Sequence, residues 1–180
     1  MKDLHTDRLI LAEITWDDLE DIHRLHCVPE VDEYNTLGIP ANLEESREIM
    51  RPFIEAGNQL PQAKYSWRID EKESGTFIGL AGMFLSNDRF RLGEIFYKFF
   101  PDYWGKGYAT EVARKLITVG FEDLKLHKIE AGTDVENQAS IRVLEKVGMV
   151  REGLRRKILP IRGEWKDGYL FAIVEDDLRL

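Results

Sequence analysis

Apolar residues along this chain keep two different rhythms, and the changes of rhythm fall at glycines and prolines. The clearest helical rhythm follows Gly107. Ala109, Val112, Ala113, Leu116, Ile117, Gly120, Phe121 and Leu124 recur at i, i+3 and i+4 and so share one buried face. Glu111 and Lys115 lie on the other face four residues apart, acid first, which is the favourable order. Ahead of this helix, Glu94-Ile95-Phe96-Tyr97-Lys98-Phe99-Phe100 is aromatic and β-branched, which suits a strand. Pro101 ends that strand, because proline has no N–H for a ladder and disfavours a helical residue before it. Lys128 to Thr133 then predicts a second strand, and Asp134 to Val147 a second helix closed by Gly148. Strand, turn, helix, strand and helix from Gly93 to Gly148 form the unit around which the rest is arranged.

Upstream, Thr6 to Glu13 reads as a strand, and Thr15 caps a helix with Asp17 and Asp18 in its acid-preferring first turn. Pro29 to Pro40 reads as a loop. Leu43 to Ala56 has helical rhythm, with Pro52 set against its second half. Tyr65 to Ile69 and Thr76 to Leu85 are strands across the polar turn Glu71 to Gly75, and Ser86-Asn87-Asp88 turns toward the strand at Glu94. Gly79 and Gly82 mark close approach or a bulge. Three successive antiparallel strands therefore lead into the central unit. Beyond Gly148, Arg151, Arg155, Arg156, Lys157 and Arg162 alternate imperfectly with Leu154, Ile158 and Ile161, a solvated strand face. Arg162-Gly163 turns a hairpin, and Trp165 to Val174 returns.

Composition narrows the class. A length of 180 residues, with 43% hydrophobic and 32% charged, fits one soluble globular domain spanning residues 1–180. A net charge of -8 argues against general nucleic-acid binding and favours cationic small partners. One cysteine, Cys27, allows no internal disulfide and suits a reducing compartment. No apolar run approaches membrane-spanning length, so the expected compartment is the cytoplasm, with no membrane partner. His23 and His26 have a spacing that a metal uses, but no third ligand accompanies them, and no metal is expected.

The chemistry concentrates in Tyr103-Trp104-Gly105-Lys106-Gly107-Tyr108-Ala109-Thr110. A helix begins with unpaired N–H groups and a partial positive charge, and glycines let that backbone approach a ligand closely. Such a turn suits a phosphate, with Lys106 as an added cation, and is otherwise a plain tight turn. A dinucleotide turn would need glycine where Thr110 stands, although Asp134 has the position of a ribose-binding acid. A nucleoside-triphosphate loop is excluded, since no Ser or Thr follows the lysine.

The run Trp104-Gly105-Lys106-Gly107-Tyr108-Ala109 resembles the Gln/Arg-x-x-Gly-x-Gly/Ala motif of GNAT N-acetyltransferases. Pro101 to Glu111, together with Thr6-Asp7-Arg8-Leu9-Ile10-Leu11 before a capped acidic helix, is similar to the RimJ/RimL-like subgroup. The resemblance implies an α/β (α+β) fold, a mixed and mostly antiparallel sheet of about six to seven strands with helices around it. It also implies acetyl-CoA as co-substrate, seated where two strands part. Backbone near Phe99 and Phe100 would hold the pantetheine, and amides from Gly105, Lys106, Gly107, Tyr108, Ala109 and Thr110 the pyrophosphate. Trp104 replaces the family's Gln/Arg, so that side-chain contact would be missing.

The resemblance further gives Asn137 to the pantetheine arm and places Ser140 near the thioester sulfur as an acid. Read from residues alone, Asn137 caps its helix and Ser140 bonds back to the backbone. Glu94 is the candidate base because it lies on the central strand, with an ordinary surface role as its alternative. The acceptor would be a protein N-terminal α-amine or a small-molecule amine, and a homodimer is compatible. The rival function is a CoA-binding sensor without transfer activity.

Overall fold

The structure is a computed structural model and describes residues 3–58, 61–86 and 89–179. Its eight strands form one sheet: β1 Leu4–His5, β2 Leu9–Glu13, β3 Lys64–Glu71, β4 Phe77–Leu85, β5 Leu92–Phe99, β6 Lys128–Asp134, β7 Val150–Ile161 and β8 Glu164–Val174. They lie in the order β1-β2-β3-β4-β5-β6-β8-β7. Neighbours are antiparallel except β5 and β6, which are parallel. The count exceeds the expected six to seven because the short β1 precedes the expected first strand, which itself begins at Leu9 rather than Thr6. Thr6 Oγ1 accepts the Leu9 N–H at 3.0 Å and makes a turn between β1 and β2. The turn residues Asn87 and Asp88 lie outside the described residues.

Among the described residues five α-helices flank the sheet: α1 Leu19–His26, α2 Pro29–Asp32, α3 Leu43–Ile54, α4 Tyr108–Glu122 and α5 Gln138–Lys146. The predicted stripe of α4 is buried, with Val112, Ala113 and Leu116 fully inside a core that also holds Ile69, Ile95 and Ile129. Each large aliphatic side chain buried there stabilises the fold by about 1.5–3 kcal/mol. A second core gathers Ile22 and Leu25 of α1, Met50 of α3, and Phe77 and Leu80 of β4. β5 divides its residues between the helix layers. Ile95 and Phe99 enter the α4 core, whereas Phe96 stacks on Phe84 with ring centroids 5.2 Å apart.

Three local expectations change. The segment after Pro29 is not all loop. Val28 is extended, and Pro29 opens the short α2 at a position where a missing N–H does no harm. Helix α3 runs through Pro52 to Ile54, because Phe53 and Ile54 pack into the second core and outweigh one lost bond in the final turn. Helix α5 starts later than its rhythm suggested, since β6 runs to Asp134, whose carboxylate accepts the Glu136 N–H at 2.8 Å in the turn that follows. The basic strand β7 is exposed along nearly its whole length, as its imperfect alternation implied.

Candidate active site

The site is made by two strands that stop pairing. β5 and β6 are joined at Leu92↔Lys128, Gly93↔Ile129 and Glu94↔Glu130. Beyond that, β5 stays with β4 as far as Phe99↔Gly79, and β6 stays with β8 as far as Asp134↔Gly168. The inner edge of β5 from Ile95 to Phe99 is therefore used by no strand. β4 can hold β5 this closely because it has glycine at the two tight places. A Cβ on Gly79 would meet Lys98 O at 2.3 Å, and one on Gly82 would meet the Phe96 ring at 2.2 Å.

The opening widens into a cleft of about 400 Å³. Tyr97 and Phe99 of β5, Gly107 and Thr110 at the start of α4, and Asn137 and Ser140 before and on α5 all line it. Gly105 and Gly107 have φ of 73° and 84°, a left-handed backbone that favours glycine. Gly107 is the cap residue of α4, and no side chain caps that helix, so its first-turn N–H groups remain available to an anion.

The turn is braced from the amino-terminal strands. Arg8 donates to Lys106 O at 3.0 Å, pairs with Glu111 at 2.6 Å, and lies over the Tyr108 ring at 4.3 Å. Thr6 Oγ1 also donates to Glu111 at 2.6 Å. Burial pushes the Glu111 carboxyl upward, but the bonds from Thr6 and Arg8 outweigh it and hold the group below its ordinary range. The acid in the first turn of this uncapped helix is thus already neutralised by its own partner.

Ser140 and Tyr97 face each other across the cleft, with their hydroxyl oxygens 3.1 Å apart. Burial pushes the Tyr97 phenol up to about 12 against the opposing effect of Ser140, so it keeps its proton at neutral pH. Asn137 Oδ1 accepts the Ser140 N–H at 3.0 Å and caps α5. The capping expectation for Asn137 therefore holds. Ser140 Oγ, expected from the residues alone to bond back to the backbone, instead faces Tyr97.

Several expected positions are not brought together. Glu94, the candidate base, sits at the closed end of the wedge opposite Glu130 and is absent from the cleft lining. Burial and Glu130 raise its pKa while Arg155 lowers it. Phe100 packs edge-on against Phe77 at 6.0 Å, and its N–H is taken by Ile78 O at 3.1 Å, so that group is not free for pantetheine. Lys106 places its ammonium 5.1 Å over the Tyr103 ring rather than in the cleft lining. Trp104 does not leave a gap: its Nε1–H donates to Phe99 O at 2.8 Å and ties the glycine turn to the end of β5. Ala109 and Tyr108 line the cleft with Gly105, as expected.

Among the lining residues that were missed are Tyr97 and Lys98. The available signal was a hydroxyl and a lysine side by side within an otherwise apolar strand core, where each needs a specific partner. His23 and His26 do not converge. His23 Nδ1 lies 2.7 Å from Ser46 Oγ, whereas His26 Nε2 faces Lys98. Asp134, the would-be ribose acid, is buried in the turn described above, and the antiparallel flanks are not those of a dinucleotide fold.

Across the cleft stand Glu30, Glu33 and Tyr34 from α2 and the residues after it. That wall is fastened to the tip of the β7–β8 hairpin. Arg162 pairs with buried Asp32 at 2.9 Å and donates to Pro29 O at 2.7 Å. No helix among the described residues is long and apolar enough to cross a membrane.

Comparison with known proteins agrees with this geometry. A family model described as an acetyltransferase (GNAT) domain matches residues 8–150. The uncharacterized N-acetyltransferase YoaA of Bacillus subtilis is 32% identical over 172 residues, covering 96% of each chain. RimJ of Mycobacterium smegmatis, solved with CoA-disulfide, superposes with a TM-score of 0.86 at 21% identity, over 99% of this chain and 88% of that one. A spermidine N-acetyltransferase of Vibrio cholerae, solved with CoA and spermine, gives 0.81 at 24% identity, over 94% and 97%. On the family match and the full-length relative, the chain belongs to the GNAT acetyltransferases and is an N-acetyltransferase using acetyl-CoA as co-substrate.

Proposed function

We propose that this enzyme acetylates a primary amine, a protein N-terminal α-amine or a small-molecule amine, in the manner of the RimJ/RimL-like subgroup. The neutral amine attacks the thioester of acetyl-CoA directly, within a ternary complex. The observation that carries the reading is the free inner edge of β5 running straight into the uncapped glycine start of α4.

Along that edge, main-chain groups from Ile95 to Phe99 hold the amides of pantetheine, and the N–H groups from Gly105 to Thr110 hold the pyrophosphate. A main-chain N–H of β5 polarises the thioester carbonyl, a contact worth ~3 kcal/mol in the transition state. Asn137 has its Oδ1 committed to Ser140 and offers its amide N–H₂ to the pantetheine arm. Ser140, with Tyr97 behind it, supplies the proton to the departing thiolate, whose pKa is near ~8.5. The acceptor enters past Glu30 and Glu33, whose charge attracts an ammonium. A single free cysteine suits work in a reducing cytoplasm.

Calorimetric titration with acetyl-CoA, with NADH in parallel, tests the donor site. Micromolar acetyl-CoA binding that is lost in Gly107→Glu is expected, followed by thiol release with a panel of amines. A folded protein that binds no acetyl-CoA would sink the reading.

A further inference from the structure

Lys98 stands where a strand would be expected to carry an apolar residue. It lies on β5 between Tyr97 and Phe99, paired across the ladder with Leu80. It lines both the main cleft and a second cavity of about 20 Å³, whose lining includes Ile14, Met50, Phe53 and Phe96. Its Nζ has two neutral partners, Asn35 Oδ1 at 3.2 Å and His26 Nε2 at 3.4 Å.

The surroundings explain why this nitrogen is not locked as an ammonium. From α1 it faces His26, which is 1% exposed, and behind it His23. Burial first, then Lys98 and His23, depress the His26 pKa to about 3, so the ring is neutral. From α2 it feels Asp32, whose Oδ2 is already engaged by Arg162. No ion pair holds Lys98 among the described residues. A neutral amine has two N–H bonds and one lone pair. With the His26 ring proton on Nδ1, which has no hydrogen-bond partner among the described residues, Asn35 and His26 accept the two N–H bonds, and the lone pair is left for a third partner in the cleft.

We propose that Lys98 is the proton acceptor for the incoming ammonium of the acceptor, a catalytic residue of the transfer. This rests on the N-acetyltransfer reading above and sharpens it. Lys98–NH₂ takes one proton from R–NH₃⁺, giving Lys98–NH₃⁺ and R–NH₂. The amine nitrogen bonds to the thioester carbon, and the C–S bond breaks with its electron pair going to sulfur. Ser140 gives its proton to the thiolate and takes the second amine proton in exchange, giving CoA thiol and R–NH–acetyl, and Lys98 returns its proton to solvent.

Burial, partly offset by Asp32, lowers Lys98 to about 8, so the side chain exchanges a proton close to neutral pH.

The test uses two substitutions. Lys98→Met keeps length and apolar packing, while Lys98→Arg keeps a cation that gives up no proton. Thiol release is followed from pH 6 to 10 with an alanyl peptide amide and with spermidine, and acetyl-CoA titration reports the integrity of the donor site. In the unaltered enzyme, kcat/KM is expected to rise through a limb near pH 8 that stays in place when the amine is changed. Both variants lose that limb and roughly 10²–10³ in kcat while binding acetyl-CoA as before. Variant turnover within about threefold of the unaltered enzyme, or an unmoved limb, overturns the role of Lys98. Failure to bind acetyl-CoA overturns the transferase reading itself.

Discussion

Replacing Gly79 by alanine tests how firmly β5 is held beside the wedge. The new Cβ would lie 2.3 Å from Lys98 O, 2.9 Å from a Phe99 ring carbon and 3.1 Å from Phe99 Cα. Two of these three atoms are backbone, so no rotamer change relieves the clash and the end of β5 must move outward. Overpacking of this kind costs about 1–3 kcal/mol. The displacement also strains the Gly79↔Phe99 pairing and the Phe100 N–H bond to Ile78, which adds about 1 kcal/mol. The expected total is about 2–4 kcal/mol. At about 2–4 °C per kcal/mol for a chain of this size, the melting temperature falls by roughly 4–16 °C. Thermal unfolding followed by circular dichroism measures it, with Gly153→Ala as control, since no atom lies within 4 Å of a Cβ there. The control should stay within about 0.5 kcal/mol. Because the moved atoms belong to Lys98 and Phe99, acetyl-CoA affinity should fall together with stability. A Gly79→Ala protein that melts within about 1 °C of the parent and binds acetyl-CoA normally would refute the argument. It would mean that β4 yields freely and does not fix the wedge.

Other perturbations separate the remaining contributions. Ser140→Ala should slow single-turnover thiol release by roughly 3- to 30-fold, less than the usual general-acid effect because a thiolate of pKa near ~8.5 leaves readily. An unchanged rate would remove Ser140 from proton delivery. Arg8→Met releases Lys106 O and Glu111, so the acetyl-CoA dissociation constant should rise while kcat holds. Stability should change by less than about 1 kcal/mol, since the pair is partly exposed. His26 is held near 3 in the folded chain but titrates near ~6.5 when unfolded. Between those values the unfolded chain binds the extra proton, so this contribution is complete above pH ~6.5 and is lost by up to ~1.4 kcal/mol per pH unit toward acid. Urea melts at pH 7, 6 and 5 should show that slope, and His26→Leu should flatten it. A slope equally steep in the variant would assign it to other groups.

The central unit was legible because its signals are local. The α4 stripe, the proline stop after β5 and the two glycines each act within a few residues, and the structure places them as read. The antiparallel approach of β3 and β4 was legible for the same reason. What escaped depends on partners distant in sequence. Tyr97 acquires its meaning from Ser140, and Lys98 from His26 and Asn35. Glu94 lies on the expected strand, but where β5 and β6 part is set by register, and periodicity carries no register between parallel strands. Proline misled twice. It counts against the second half of α3, where packing overrides it, and belongs to an expected loop at Pro29, where it starts a helix.

The parted strands give this sheet an edge on its inside. Outward edges invite pairing with other chains and have to be blunted. This one faces β6 across the cleft, inside the molecule, where a thin filament bearing amide groups is the proposed occupant. In the proposed reading, donor binding amounts to adding the missing rung of a ladder, and the sheet becomes continuous only when loaded. Folding and cofactor occupancy are in that case one equilibrium viewed from two sides. At a hundredfold excess over the dissociation constant the loaded fold gains about 2.7 kcal/mol, so the cell's acetyl-CoA supply would set how long the enzyme lasts as well as how fast it works.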